Sequence, residues 1–199
     1  MRFWKSEESK EEVSVAKEEN NILNLEHQHS EQEALRREKL AALQAEGKDP
    51  FDVYKVERSH NSKEVKDKYA QLEGSTVTLA GRLLSKRVQG KAGFADIYDR
   101  EGKMQLFVQV NNIGEEKHKA FKTLDLGDWI SVKGEVFKTK TGEISIKIFD
   151  YELICKSLKP LADKWHGLKD PDLRYRQREV DIITNPEVKE TFLKRSRII

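Results

Sequence analysis

The spacing of apolar residues changes at Gly74, and this change constrains the fold more than any other feature of the sequence. Before Gly74 apolar residues recur at helical spacing, whereas after it they alternate in short runs separated by glycine-containing turns. A helix-forming stretch, EEKHKAFKTL, lies between the third and fourth runs. This order predicts a mainly β protein with flanking helices, built on a five-stranded OB-fold barrel; another small barrel or a sandwich is the alternative. The predicted strands are the run that contains Val77, Leu79 and Leu83, followed by FADIYD, MQLFVQV, WISVKGEVF and EISIKIFDYELI.

The segments outside the barrel are helical or lack a period. Residues 1–30 are rich in Glu, Lys, Ser and Asn and have no sustained apolar period, which predicts a disordered tail. Residues 31–74 are a predicted helical extension, in which ALRREKLAALQAEG follows a capping-box spacing and a second helical stretch begins near Ser62. We assign residues 75–157 to the barrel and residues 158–199 to a linker followed by a last helix.

The composition argues against several classes of protein. The longest apolar runs are a few residues and the N-terminal residues are acidic, so we expect no membrane segment and a cytoplasmic location. The single cysteine, Cys155, has no partner for a disulfide within the chain, and the five histidines lack the spacing of metal ligands. The chain has neither a Walker-type phosphate loop nor a nucleophile with its base. We therefore expect no catalytic residue and no metal site here.

Positive charge is concentrated in the predicted barrel and beyond it. Residues 76–199 hold 24 Lys and Arg against 18 Asp and Glu, whereas residues 1–75 hold 13 against 17. Such an excess permits a polyanionic partner without requiring one. Cations stand close to two predicted turns: Arg82, Lys86, Arg87 and Lys91 near the first, Lys138 and Lys140 near the last.

Alternation within the strands selects three outward-facing residues. If Ile97, Leu106 and Val108 face the core, then Phe94 and Gln105 face outward. The inward isoleucines of the fifth strand direct Glu143 outward in the same way. OB-folds bind ligands on this face of strands two and three and with the adjoining loops.

An exposed aromatic ring beside cations suits single-stranded nucleic acid, because the ring stacks on an unpaired base while the cations follow the phosphates. The Gln105 amide can donate to a uracil carbonyl oxygen, and the Glu143 carboxylate can accept from uracil N3–H. The alternative is an ordinary polar surface, since exposed Phe, Gln and Glu are common on strands.

Three long segments resemble the N-terminal portion of class II lysine-tRNA ligases. They are GRLLSKRVQGKAGFADIYDREGKMQLFVQ, LDLGDWISVKGEVFKTKTGEISI and LKPLADKWHGLKDPDLRYRQREVDIITNPEV, and the similarity runs from about Arg36 to Ile199. The pieces KTKTGE, KWHGLKD and RYRQR carry it most specifically. The resemblance implies an OB-fold that binds the anticodon of lysine tRNA.

The resemblance also implies roles for individual residues. Phe94, Gln105 and Glu143 would recognise the central uridine, and Arg82, Arg87 and Lys91 would contact the RNA backbone or bases. Gly93 stands where relatives often have serine. Asp96 replaces a neutral residue or histidine, and a carboxylate beside Phe94 would repel a phosphate.

The family uses ATP and Mg²⁺ in its full-length form, through arginine-bearing motifs 2 and 3 that this sequence does not contain. We expect no cofactor and no adenylation activity in this chain alone. The last helix, capped by Asn185-Pro186-Glu187 and striped with Val188, Phe192 and Ile199, resembles the opening of motif 1, an element of the homodimer interface. Self-association is therefore expected to be weak or absent, and the chain is interpreted as a fragment. The alternatives are a stand-alone RNA-binding module and a protein-interaction module.

Overall fold

A computed structural model of the protein describes residues 31–161 and 170–199, which contain a closed five-stranded barrel with helices around it. The disordered tail predicted for residues 1–30 lies outside the described residues, and so does most of KWHGLKD. The strands are β1 Thr76–Gln89, β2 Ala92–Tyr98, β3 Lys103–Gln109, β4 Trp129–Lys138 and β5 Ile144–Cys155. They are ordered β1-β2-β3-β5-β4, with β4 pairing back onto β1. The predicted OB-fold class is confirmed.

Helices precede, interrupt and follow the barrel. The N-terminal set comprises α1 over 31–45, a short 3-10 helix Pro50–Asp52, α2 Ser62–Asp67 and α3 Tyr69–Leu72. Between β3 and β4 lie α4 Val110–Ile113 and α5 Glu115–Thr123, and after β5 come α6 Pro171–Arg176, α7 Arg178–Thr184 and α8 Pro186–Ile198. Asn61 begins α2 with a capping box, in which its side chain accepts from the Glu64 N–H and the Glu64 carboxylate accepts from the Asn61 N–H.

The core lies inside the barrel and follows the predicted alternation. In β3 and in the first half of β1, burial repeats every second residue, because each inward side chain is flanked by outward ones. Removing such large apolar side chains from water contributes roughly 1.5–3 kcal/mol each. The most deeply buried are Val77, Leu79, Leu83, Ile97, Met104, Leu106, Val108, Phe121, Ile130, Val136, Ile146 and Ile148.

Glycine at position 134 allows β4 and β5 to approach each other closely. The register between these strands shifts between Lys133 and Gly134. A Cβ atom built on Gly134 would lie 2.2 Å from the carbonyl oxygen of Lys147 and 2.8 Å from Cγ2 of Ile146. Because the nearest atom belongs to the backbone of the paired strand, no rotamer change relieves the overlap.

A lysine–aspartate cluster, formed by Lys156, Asp125, Asp128 and Lys39, joins α1 to one end of the barrel. Lys156 is 4% exposed and Asp128 is 0% exposed. The Lys156 Nζ lies 2.8 Å from Asp128 Oδ2 and 2.5 Å from Asp125 Oδ2, and Lys39 of α1 lies 2.7 Å from Asp125 Oδ1. Arg36, also on α1, donates to the carbonyl oxygen of Ser157 at 3.0 Å. The cluster thus compensates buried charges and anchors α1.

Asp125 makes the stability of the fold depend on pH in the acidic range. Burial on its own would raise the pKa of the Asp125 carboxyl, but hydrogen bonds from Lys156 and Lys39 outweigh it and hold the pKa below its usual range. A carboxyl with a depressed pKa stabilises the fold above its unfolded pKa, which is about 4, and this contribution is lost as the pH falls through the folded value. The free energy of unfolding should decrease less in Asp125→Asn than in the wild type when the pH is lowered from about 6 to about 3. Urea denaturation at each pH measures both decreases. Equal losses would contradict this role.

The segment after β5 contains two helices, α6 and α7, where apolar periodicity indicated only a linker. Asp170 caps α6 by accepting from the N–H groups of Asp172 and Leu173. The fully buried Asp181 accepts hydrogen bonds from Arg174, Arg178 and Asn185. Polar contacts to one buried carboxylate therefore help to hold these helices, and a search for apolar spacing does not detect them. Asn185 precedes α8, as predicted, but its side chain donates to Asp181 rather than capping the helix.

Candidate nucleic-acid interface

The strand register arranges the outward side chains of the barrel into two neighbouring rows. Residues paired across strands point to the same side of a sheet, so each row can be followed from strand to strand. The first row is Arg87, Phe94, Phe107, Lys147 and Glu135. The second row is Ser85, Asp96, Gln105, Ser145 and Phe137.

Phe94 rests on a ladder of aromatic rings. Its ring centroid lies 5.2 Å from that of Phe107, which lies 6.0 Å from that of Phe137 in an edge-on arrangement. Such tilted and edge-on pairs are the favoured geometries of aromatic contacts. Phe107 and Phe137 were not among the predicted site residues, although Phe107 stands between the buried Leu106 and Val108 and the same alternation places it outward.

Gln105 is held by a hydroxyl group from the neighbouring strand. The Oγ of Ser145 donates to Oε1 of Gln105 at 2.8 Å, and Ser145 is fully buried beneath its neighbours. This bond uses the amide oxygen. The hydrogens on Nε2 are therefore the part of the amide that can meet a ligand.

Glu143 lies at the end of the turn between β4 and β5, one residue before β5 begins. The turn is closed by the Thr139 N–H, which donates to the carbonyl oxygen of Glu143 at 2.9 Å, while the Glu143 N–H donates to Thr139 Oγ1 at 3.0 Å. Gly142 supports the turn with a φ of +90°. The Glu143 side chain is 45% exposed and lies 3.9 Å from Lys66 of α2. The Glu143 carboxylate is therefore accessible to a ligand, with Lys66 beside it.

The six predicted site residues do not all lie together. Phe94, Gln105 and Glu143 lie in sequence along one outer face: Phe94 is diagonal to Gln105, Gln105 is opposite Ser145, and Glu143 is two residues before Ser145. Arg87 is exposed in the first row beside Phe94, and Lys91 is exposed in the turn between β1 and β2.

Arg82 lies apart from these residues, in the row of Tyr98 and Trp129. Its guanidinium is 5.2 Å from the Trp129 ring centroid and donates to the carbonyl oxygen of Gly127 at 3.4 Å. Burial lowers the pKa of the Arg82 guanidinium. Lys86, another cation near the first turn, donates to the carbonyl oxygens of Lys122 and Leu124 at the end of α5. Both side chains are thus engaged by the barrel itself.

Asp96, although it lies next to Gln105, is 5% exposed and does not present its carboxylate openly. Its Oδ2 is 3.4 Å from Nζ of Lys103. Its Oδ1 is buried without a hydrogen-bond partner among the described residues. The nearby lysine reduces the repulsion that a phosphate at this face would meet.

Known proteins are similar to this chain both within the barrel and in the segments around it. A family model described as an OB-fold nucleic acid binding domain matches residues 77–160. A lysine–tRNA ligase of Clostridium perfringens is 67% identical over 185 residues, which cover 93% of this chain and 37% of that protein. A lysine–tRNA ligase of Clostridium botulinum is 65% identical over the same shares. This chain matches the N-terminal part of lysine–tRNA ligases.

The resemblance to lysine–tRNA ligases drawn from the sequence is therefore confirmed. The chain spans 37% of the length of the lysine–tRNA ligases it matches. No helix within 31–161 or 170–199 is both long and apolar enough to cross a membrane. Within the same ranges, no group of three or more His, Cys, Asp or Glu is placed to hold a metal ion.

Proposed function

We propose that the outer face of this barrel binds the anticodon loop of lysine tRNA, as the anticodon-reading part of a cytoplasmic lysine–tRNA ligase. The observation that carries the proposal is that Phe94, Gln105 and Glu143 lie on one outer face, with Gln105 between the other two and bonded to Ser145. A ring can stack on an unpaired base, while an amide and a carboxylate can bond to its edge.

The central base of the anticodon is uridine in this proposal. Its ring stacks on Phe94, its carbonyl oxygen accepts from Nε2 of Gln105, and its N3–H donates to the Glu143 carboxylate. Cytidine presents an amino group and an unprotonated N3 along the same edge, so that it opposes donor to donor and acceptor to acceptor. The pair of polar side chains therefore selects uridine.

The cations of the barrel bind the phosphates in this arrangement. Arg87, exposed beside Phe94, and Lys91, exposed in the turn between β1 and β2, are the direct contacts, whereas Arg82 adds positive charge from its place over Trp129. Charging of tRNA with lysine is the activity of the whole ligase, which uses ATP and Mg²⁺. The part of that activity proposed for this barrel is to bind and select the tRNA.

The 199-residue chain is expected to bind an anticodon stem-loop with a central uridine about tenfold or more tightly than one with a central cytidine. This ratio follows from roughly 1–3 kcal/mol of discrimination for a good pair of base contacts. Fluorescence anisotropy at fixed salt measures both dissociation constants, because phosphate contacts make affinity depend on salt. Equal affinities for the two stem-loops would contradict the proposal that this face distinguishes the central base.

Phe94→Ala provides the test of stacking within the same experiment. Loss of the ring should weaken binding of both stem-loops, since stacking contributes roughly 1–3 kcal/mol per base whatever its identity. The matched control is Phe51→Ala, which removes an exposed ring from the 3-10 helix and should leave both affinities unchanged. Equal losses in the two variants would show that Phe94 makes no special contact.

A further inference from the structure

The hydroxyl of Ser145 lies between the two polar side chains that are proposed to read the base. Its Oγ is 2.8 Å from Oε1 of Gln105 and 3.5 Å from the carbonyl oxygen of Glu143. Ser145 is fully buried, so water cannot replace either contact. A serine has one proton to donate, and the choice of acceptor determines which way the Gln105 amide is turned.

The turn before β5 settles this choice. If the Ser145 proton went to Glu143, then Oγ would accept from Gln105 Nε2 and the amide oxygen would face the ligand. However, the carbonyl oxygen of Glu143 already accepts the Thr139 N–H at 2.9 Å and the Thr139 hydroxyl at 3.1 Å. The Thr139 hydroxyl has a single proton and also lies 3.0 Å from Thr141 Oγ1. The distances decide: Ser145 Oγ is 2.8 Å from Gln105 Oε1 but 3.5 Å from the Glu143 carbonyl oxygen. The Ser145 proton therefore goes to Gln105 Oε1.

We propose that Ser145 is a specificity-determining residue, which fixes the Gln105 amide with its N–H₂ group toward the base. Thr139 supports it by occupying the Glu143 carbonyl oxygen. The inference rests on the proposed function for its ligand, a pyrimidine base with a carbonyl group at position 4. Ser145 is a positioning residue, since it acts through Gln105 and is itself buried.

A locked amide discriminates between bases, whereas a rotating one does not. With Nε2 facing outward, Gln105 donates to O4 of uridine and opposes the amino group of cytidine. Once the hydroxyl is removed, the amide can turn its oxygen toward that amino group and accept from it. Cytidine then gains a hydrogen bond, so the ratio of the affinities for uridine and cytidine decreases. The stacking surface is unchanged.

Ser145→Ala is expected to reduce the uridine-to-cytidine affinity ratio about fivefold, chiefly by tightening binding of the cytidine stem-loop. The factor corresponds to one ordinary hydrogen bond. The matched control is Ser131→Ala, which removes a buried hydroxyl from β4, where its neighbours are Ala80 and Glu152. A wild-type ratio in Ser145→Ala, or an equal change in Ser131→Ala, would overturn the proposal.

A double-mutant cycle tests whether Ser145 acts through Gln105. In a Gln105→Ala background, Ser145→Ala should leave the affinity ratio unchanged, because the amide that it positions is gone. The same reduction of the ratio in both backgrounds would assign Ser145 a merely structural effect and overturn the proposal.

An RNA-free measurement separates this inference from the proposed function. The ¹H–¹⁵N heteronuclear NOE of Gln105 Nε2 should be that of an ordered group in the wild type and should fall in Ser145→Ala. An unchanged NOE overturns the positioning role even if the wild type prefers uridine. A wild type without preference overturns the proposed function and the specificity role together, while the NOE still reports whether Ser145 orders the amide.

Discussion

Asp128→Ala is expected to lower the free energy of unfolding by about 3 kcal/mol, the lower end of the usual cost of breaking a buried ion pair, because Lys156 keeps Asp125 as a partner. Both carboxylate oxygens lie 2.8–3.0 Å from Nζ of Lys156, and they also accept the N–H groups of Asp125 and Ser157. The substitution removes the acceptor of the Asp125 and Ser157 N–H groups and leaves Lys156 with Asp125 alone. Urea denaturation followed by circular dichroism measures the loss.

Two further variants show which part of that loss is due to burial. Asp67→Ala removes an ion pair with Lys63 in which both side chains are more than half exposed, and it should cost less than about 1 kcal/mol. Asp128→Asn keeps an oxygen that can accept from the Ser157 N–H, so its cost should lie between those of the other two. If Asp128→Ala proved as mild as Asp67→Ala, the cluster would have no anchoring role.

Gly134→Ala is expected to destabilise the barrel by roughly 3 kcal/mol, at the upper end of what an extra methyl group costs in a packed site. The added carbon would overlap the Lys147 carbonyl oxygen, and relief requires β4 and β5 to separate where they are hydrogen-bonded. The thermal unfolding midpoint should fall accordingly, and differential scanning calorimetry records it.

Lys133→Ala is the matched control for Gly134→Ala, because it alters the adjacent, exposed residue of the same strand. Its effect should remain within about 0.5 kcal/mol, as for other surface substitutions. A Gly134→Ala variant as stable as Lys133→Ala would mean that the strands at this position are farther apart than the structure has them.

Alternation within strands predicted the barrel because burial in a closed sheet repeats every second residue. It directed Ile97, Leu106 and Val108 inward, and these are buried. It also directed Phe94 and Gln105 outward, and in the structure they lie on the outer face. The OB-fold class was predicted from the helical stretch between the third and fourth strands, where the structure has α4 and α5.

Alternation could not predict the register between strands or the direction in which a long cationic side chain turns. Which residues of β3 and β5 are neighbours depends on a parallel pairing of segments about forty residues apart, so the contact of Ser145 with Gln105 has no local signal. A long cation can also turn away from the surface that its position indicates. Arg82 lies over Trp129, and Lys86 caps the carbonyl oxygens at the end of α5, for reasons that appear only once those partners are placed.

The parallel pairing of β3 with β5 also means that the outer face around Gln105 is completed only late in translation, when β5 has been made. Gln105 leaves the ribosome long before Ser145, and β1 gains its second neighbour only when β4 has been made. Pairing between such distant segments is slow relative to local structure. A nascent chain that has not yet extruded β5 therefore carries Phe94 and Gln105 without the Ser145 hydroxyl, and under the proposed function it does not select among anticodon loops until β5 is released.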